Sequence, residues 1–226
     1  MLKAVFETDT PVIVVLLNGR PMTINWTNKY IPAIVEAWFP GEFTGQAIAE
    51  VLFGVYNPGG KLPITFPKSV GQILYAFPFK PGARNRGKAR VAGALFPFGH
   101  GLSYTSFEYS DLKISPEKNG LGGSFEIRGT VKNTGNVHGD EVVQLYINDV
   151  VSSVTTFEKV LRGFERIALE PGEQKTVTFQ LNPSDLSLYN RNMEFVTEPG
   201  KFEVFVGSSS EDIRLEGSFL LVKEGF

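Results

Sequence analysis

"GEFTGQAIAEVLFGVYNPGGK", residues 41–61, decides how the first half of this chain is read. A glycine turn opens it, an apolar run follows, and a second glycine turn closes on Lys61. Phe43, Ala47, Ile48, Val51 and Leu52 recur at helical spacing, which predicts an amphipathic helix over residues 43–53 stopped by Gly54. Residues 12–17 are continuously aliphatic, as a strand covered on both faces is. Residues 33–39 and 61–66 are the next strand candidates, so that strand, helix and strand make one βαβ unit. Three parallel strands are too few for a doubly covered sheet. Leu2, Val5 and Phe6 look like the end of an amphipathic helix with no capping residue before it. This half reads as the tail of a larger α/β domain.

The same stretch does not hold a phosphate. A phosphate loop needs two glycines four residues apart, then Lys and Ser or Thr at once, opening a helix. Gly54 and Gly59 have the separation, but Gly60 occupies the lysine position, no Ser or Thr follows it, and a strand signal comes next. A helix stop followed by a Pro-Gly turn accounts for the pattern. Residues 98–102, "FGHGL", carry half of a dinucleotide fingerprint without its third glycine or its helix. His100 is either a structural turn residue or part of a ligand site between domains. Glu42 opens the predicted helix, where the helix dipole favours a carboxylate by about 0.3–1 kcal/mol; a substrate-rim role is the alternative. Arg84, Arg86, Lys88 and Arg90 form a basic run without interleaved aromatics, the pattern of a solvated loop rather than of a nucleic-acid site. No Gly-x-Ser-x-Gly elbow occurs. The residues alone show no catalytic constellation.

Near residue 105 the period changes to two. Phe125, Ile127 and Val131 alternate with Glu126, Arg128 and Lys132. The same holds for Val177, Phe179 and Leu181, for Phe202, Val204 and Val206, and for Ile213, Leu215, Phe219 and Leu221. Turn signals at 133–135, 170–172 and 198–200 separate these runs, and residues 182–186, "NPSDL", predict a short helical turn. About seven strands at this spacing argue for an immunoglobulin-like or fibronectin-type sandwich. The expected fold is therefore α/β followed by all-β, divided into residues 1–105 and 106–226.

Composition narrows the function classes. The chain has 226 residues, 42% hydrophobic and 20% charged, with a net charge of −2. That balance describes a globular protein with no general pull toward nucleic acid. Cysteine is absent, which excludes disulfides, thiolate metal sites and cysteine nucleophiles. The two histidines, His100 and His138, are far apart in sequence, so no histidine-rich metal centre is expected. The longest aliphatic run falls far short of the roughly 20 residues a bilayer requires, so no membrane partner is expected.

Six blocks of this sequence resemble a known family. "PVIVVLLNGRP" (11–21), "AWFPGEFTGQAIAEVLFGVYNPGGKLPITFP" (37–67) and "LFPFGHGLSYTSFEYSDLKIS" (95–115) are similar to the C-terminal part of family 3 glycoside hydrolases, the β-glucosidase and β-xylosidase group. "VKNTGNVHGDEVVQLYI" (131–147), "LRGFERIALEPGEQKTVTF" (161–179) and "EPGKFEVFVGSSSEDIRLEGSF" (198–219) resemble that family's fibronectin type III-like domain. The order of the blocks agrees throughout. The resemblance implies a (β/α)8 barrel and the start of an α/β sandwich domain ahead of residue 1, and a retaining hydrolysis of β-linked sugars by two carboxyl groups. It places both the nucleophilic Asp and the acid/base Glu before residue 1, so no catalytic residue is carried over. Glu42 and His100 stand as candidates for the substrate rim, with no cofactor and no metal. The partners implied are an oligosaccharide or glycoside and the missing barrel, with self-association through the truncated sheet. The compartment implied is the bacterial periplasm or the exterior, with the cytoplasm left open. Residues 80–94 depart from many relatives, being rich in Arg, Lys and Gly. Two other readings stay open: a carbohydrate-binding or protein-interaction module, with Phe205 as an exposed contact, and one half of a split enzyme.

Overall fold

The protein is described by a computed structural model over residues 1–72, 75–82 and 92–223. The basic run Arg84, Arg86, Lys88 and Arg90 lies outside the described residues. Two parallel strands, β1 (Ile13–Leu16) and β2 (Ala33–Glu36), pair from Ile13 opposite Ala33 to Leu16 opposite Glu36. A short helix crosses between them, α2 (Asn25–Tyr30). The first helix, α1 (Leu2–Phe6), leans on it: Phe6 meets the Trp26 ring edge-on at 5.6 Å and lies 5.8 Å from Tyr30. Strand β2 stops three residues before the predicted end, because Trp38 takes a left-handed turn at φ +52.

The predicted helix forms as α3 (Thr44–Leu52). Its end is made by hydrogen bonds from Gly54 N–H to Val51 O (3.1 Å) and from Val55 N–H to Glu50 O (2.8 Å). Gly54 sits at φ +73, the left-handed position of a Schellman closure that glycine adopts without a Cβ penalty. No α3 residue is buried, and the flanking Phe43 and Phe53 are 68% and 84% exposed. Its apolar stripe is only partly covered: Ile48, Val51 and Leu52 are half-buried.

The third parallel strand expected over 61–66 does not form. Strand β3 is only Phe66–Pro67 and pairs antiparallel with β4 (Ala94–Phe96). Leu62 instead donates to His100 O and accepts from Gly99 N–H, both at 2.8 Å. Pro63 and Pro67 lack the donors a central strand needs. The parallel unit is β1–α2–β2, one element earlier than the expected one.

The second half is a sandwich. One sheet runs β10 (Gln174–Leu181), β7 (Phe125–Asn133), β5 (Phe107–Ser115). The other runs β6 (Lys118–Gly120), β14 (Ile213–Val222), β13 (Gly200–Gly207), β8 (Gly139–Asp149), β9 (Val160–Leu169). A small hairpin, β11 (Ser187–Tyr189) and β12 (Phe195–Thr197), follows a 3₁₀ turn at Pro183–Leu186. That turn carries a reciprocal capping box between Asn182 and Asp185, the reason "NPSDL" reads as a helical turn. The alternating residues of β7, β10, β13 and β14 meet between the sheets. Phe125 stacks on Phe219 at 3.9 Å, and Phe219 on Phe202 at 5.4 Å.

Candidate functional site

In open parallel sheets, ligands bind where the strands end, because the backbone diverges there into loops. At the ends of β1 and β2 the Glu36 carboxylate accepts from the Asn18 side-chain amide at 3.2 and 3.4 Å and from Trp38 N–H at 3.1 Å. These bonds tie the two loops together. Glu36 therefore acts as a structural tie, with its acceptor capacity directed inward. The Trp38 ring lies 5.9 Å from Phe66, and Phe39 projects at 78% exposure. Glu42 is exposed, just after Gly41 and before α3. Asn18, Glu36, Trp38 and Phe39 thus combine planar polar groups with aromatic rings where the two strands end. Sequence reading singled out only Glu42. The overlooked signal was a carboxylate, Glu36, ending an otherwise apolar strand.

A second constellation holds the two halves together, and it uses the glycine blocks quoted above. Lys61 Nζ stands 3.0 Å from Glu141 Oε1, with side chains only 12% and 4% exposed. Burial pushes the Glu141 carboxyl up, while the Lys61 charge and the Lys61 and Tyr109 side chains pull it back. Burial and the Glu141 charge keep the Tyr109 phenol protonated. Gln144 Nε2 donates to Gly99 O (3.2 Å) and Ser208 O (2.6 Å), and its Oε1 accepts from the Tyr146 hydroxyl. Ser210 N–H donates to Phe98 O at 3.0 Å. Asn57 Nδ2 donates to His138 O at 2.9 Å, and Arg166 donates to Tyr56 Oη at 2.7 Å. Gly99 has φ +80, and a Cβ there would stand 2.1 Å from Gln144 Oε1, so glycine is required.

His100 falls in this seam, not at the sheet edge. Its ring stacks on Phe96 at 5.2 Å and 16°. Burial, then the Lys61 charge, lowers its pKa against the opposing Asp212, so it is neutral at pH 7. The structure does not bring it into a cluster with Glu42. The seam residues Glu141 and Gln144 escaped sequence reading, yet β8 carried a signal. Residues 142–147, "VVQLYI", are nearly continuous in burial, as in a strand covered on both faces, and Glu141 shares the inward parity of Val143, Leu145 and Ile147. Phe205, expected as an exposed contact, is half-buried under the Lys159 ammonium, 5.5 Å from its ring centre.

No group of three or more His, Asp and Glu side chains among the described residues is placed to hold a metal. What the arrangement offers chemically is a polar and aromatic rim on a scaffold braced from the sandwich.

Comparison with known proteins gives this scaffold a family. Residues 1–104 match the glycosyl hydrolase family 3 C-terminal domain, and residues 141–210 match the fibronectin type III-like domain. A β-xylosidase of Formosa agariphila is 44% identical over 99% of this chain and 31% of its own length. A periplasmic β-glucosidase of Salmonella typhimurium is 42% identical over 98% of the chain and 30% of its own. Among solved structures, a β-glucosidase of Erythrobacter marinus superimposes with a TM-score of 0.93 at 38% identity, covering 98% of this chain and 29% of that one. The chain thus spans about a third of the length of the relatives it matches. Fold, seam and the two matched domains occur together in one order, and the chain belongs to glycoside hydrolase family 3, of which it carries the C-terminal domain and the fibronectin type III-like domain.

Proposed function

We propose that this chain is the C-terminal portion of a retaining β-glycosidase, of β-glucosidase type, that removes terminal β-linked sugars from oligosaccharides or glycosides. The observation that carries this reading is the alignment: nearly the whole chain matches about 30% of β-glucosidases and β-xylosidases, with both domains superimposed together. The Listeria innocua β-glucosidase, solved with glucose, supports a sugar substrate; it superimposes at a TM-score of 0.89 with 38% identity. The domain division falls between residues 105 and 106. Retaining hydrolysis needs two carboxyl groups about 5–5.5 Å apart, and in this reading both belong to the part of the enzyme outside these residues. Glu42 and the edge residues around Trp38 then supply a rim to the sugar site, and the seam fixes that rim against the sandwich. His100, neutral and stacked, serves the seam.

The β1–β2 pair and the apolar stripe of α3, both only half-buried, favour docking to the remainder of the enzyme, whether joined or carried on a separate chain. Two-stranded parallel sheets are not stable when open on their faces. The same surface predicts self-association of the isolated chain. The named periplasmic relative supports a periplasmic location, and no helix among the described residues is long and apolar enough to cross a membrane.

The test is a transplant. Replacing the matched C-terminal 30% of the Salmonella enzyme with this chain is expected to preserve hydrolysis of nitrophenyl β-glucoside, while this chain alone turns over neither that substrate nor the β-xyloside. Turnover by the chain alone, or a folded but inactive hybrid, would overturn the proposal.

A further inference from the structure

The loops that follow β1 and β2 are stitched to each other. Asn18 uses both ends of its amide there: Nδ2 donates to the Glu36 carboxylate at 3.2 and 3.4 Å, and Oδ1 accepts from Arg20 N–H at 3.2 Å. The same carboxylate accepts from Trp38 N–H at 3.1 Å. The chain beyond Ala37 is then restrained at four consecutive residues. Trp38 stands in the left-handed region at φ +52, with its ring against the buried Phe66. Phe39 precedes a proline, which disfavours the helical region for it; Pro40 has a fixed φ, and Gly41 turns at φ +83. A bulky residue at positive φ is rare, and it persists where the surroundings over-determine it, most often at functional sites.

This frame carries one ring into the open. Phe39 is 78% exposed and pairs with no other ring among the described residues. It is nonetheless located: a Cβ built on Gly19 would stand 2.6 Å from its Cε2, so one ring edge rests on the Gly19 backbone. The charged residues flanking the two loops, Arg20 and Glu42, are exposed and of opposite sign, so they select neither an anion nor a cation. Asn18 and Glu36 direct their polar atoms into the stitch. What the strand ends present outward is the Phe39 ring, at the place where open parallel sheets bind ligands. Burying a ring against more protein is non-directional and requires no strained backbone, whereas stacking on a flat ligand depends on where the ring stands.

We infer that Phe39 is a specificity-determining residue for the sugar, the platform on which the C–H face of a pyranose ring of the substrate stacks, and that Glu36 and Gly19 are its positioning residues. The platform is read from the strand ends; its occupant rests on the glycosidase reading.

The experiment uses the hybrid enzyme carrying this chain. It reads KM for nitrophenyl β-glucoside together with the inhibition constant of glucose, a competitor without an aglycone. Phe39→Leu keeps apolar volume but removes the flat face, and should raise both constants about threefold to tenfold with a smaller change in kcat. Phe39→Tyr keeps the face and should recover most of that loss. Gly19→Ala displaces the ring without altering it, and Glu36→Gln removes one acceptor oxygen from the stitch; both should raise KM in the same direction. In the Phe39→Leu background their effects on KM should vanish, because a positioning residue acts through the ring it places. Thermal unfolding midpoints identify any variant that fails to fold, and Phe39→Leu, at an exposed position, should keep that of the parent. Equal constants for Phe39→Leu and Phe39→Tyr, whether retained or lost, would mean that the ring packs against the remainder of the enzyme and would overturn the inference. Effects of Gly19→Ala and Glu36→Gln that persist in the Phe39→Leu background would overturn the positioning role. A folded but inactive hybrid overturns the glycosidase reading and this inference with it, whereas an active hybrid indifferent to Phe39 overturns this inference alone.

Discussion

The first half of this chain is the more apolar in sequence, yet it buries far fewer of its apolar side chains than the second. Among the described residues before 105, the buried hydrophobic side chains are Ile31, Phe66 and Phe79; in the sandwich there are seventeen. The sandwich closes two sheets on each other, so each inward side chain finds a partner face. Among the described residues the first half has a parallel pair, a helix whose stripe is only half-buried, and a seam. Apolar content supplies a tendency to be buried, but burial requires a second surface. Where the sandwich offers one, the first half takes it: Phe77 meets the Tyr146 ring edge-on at 5.5 Å, and Tyr146 is fully buried.

The sharpest way to break this contrast is a pair of truncations. Phe125→Ala empties the sandwich core and should cost about 3–5 kcal/mol in urea unfolding, whereas Phe43→Ala at the exposed start of α3 should stay within about 0.5 kcal/mol. Equal costs would mean that α3 is covered after all.

The seam comes next. Lys61→Met leaves Glu141 buried without its cation and should cost about 3–5 kcal/mol at neutral pH. The sign with pH follows from Glu141. Burial already raises its folded pKa, and removing Lys61 raises it further. A raised acid favours the native state fully below the unfolded value of about 4.3, and that contribution is lost as pH rises through the folded value. The penalty of Lys61→Met should therefore be small near pH 4 and large at pH 8. A pH-independent penalty would show that the pair is hydrated.

Gly99→Ala should cost about 1–3 kcal/mol, from the left-handed backbone and the clash with Gln144. A neutral result would mean that the seam slides freely. The smallest effect is expected at Asp149, whose carboxyl lies near 6 when folded. It stabilises below about 3.9, and that stabilisation is lost as pH rises through about 6. Asp149→Asn should flatten the fall of the thermal midpoint between pH 4 and 7; an unchanged slope would show a carboxylate in free contact with water.

Much of the sandwich was legible because its signals are local. Alternation at Phe125, Ile127 and Val131, the turn glycine at 172, and the "NPSDL" cap all act within a few residues, and each appears where its pattern lies. Helix α3 and its Gly54 stop were legible for the same reason. The strand expected at 61–66 was not, because Leu62 could pair either with a parallel neighbour or with residues 99 and 100, and nothing local distinguishes them. The Glu36 tie was not legible, because it depends on Asn18, which arrives from the end of another strand. The seam was least legible, since its glycine blocks read as plain turns.

Unaided, the amino-acid order determined period, turn and stop, and through the six blocks it carried the family. These are properties of neighbours along the chain, set by backbone geometry and side-chain direction. Only the tertiary structure decided that the two glycine turns lock the halves together, that Lys61 buries its charge on Glu141, and that α3 is only half-buried. Asn57 and His138 meet across 81 residues of chain, and which distant surfaces cover one another is a choice that local periodicity does not encode.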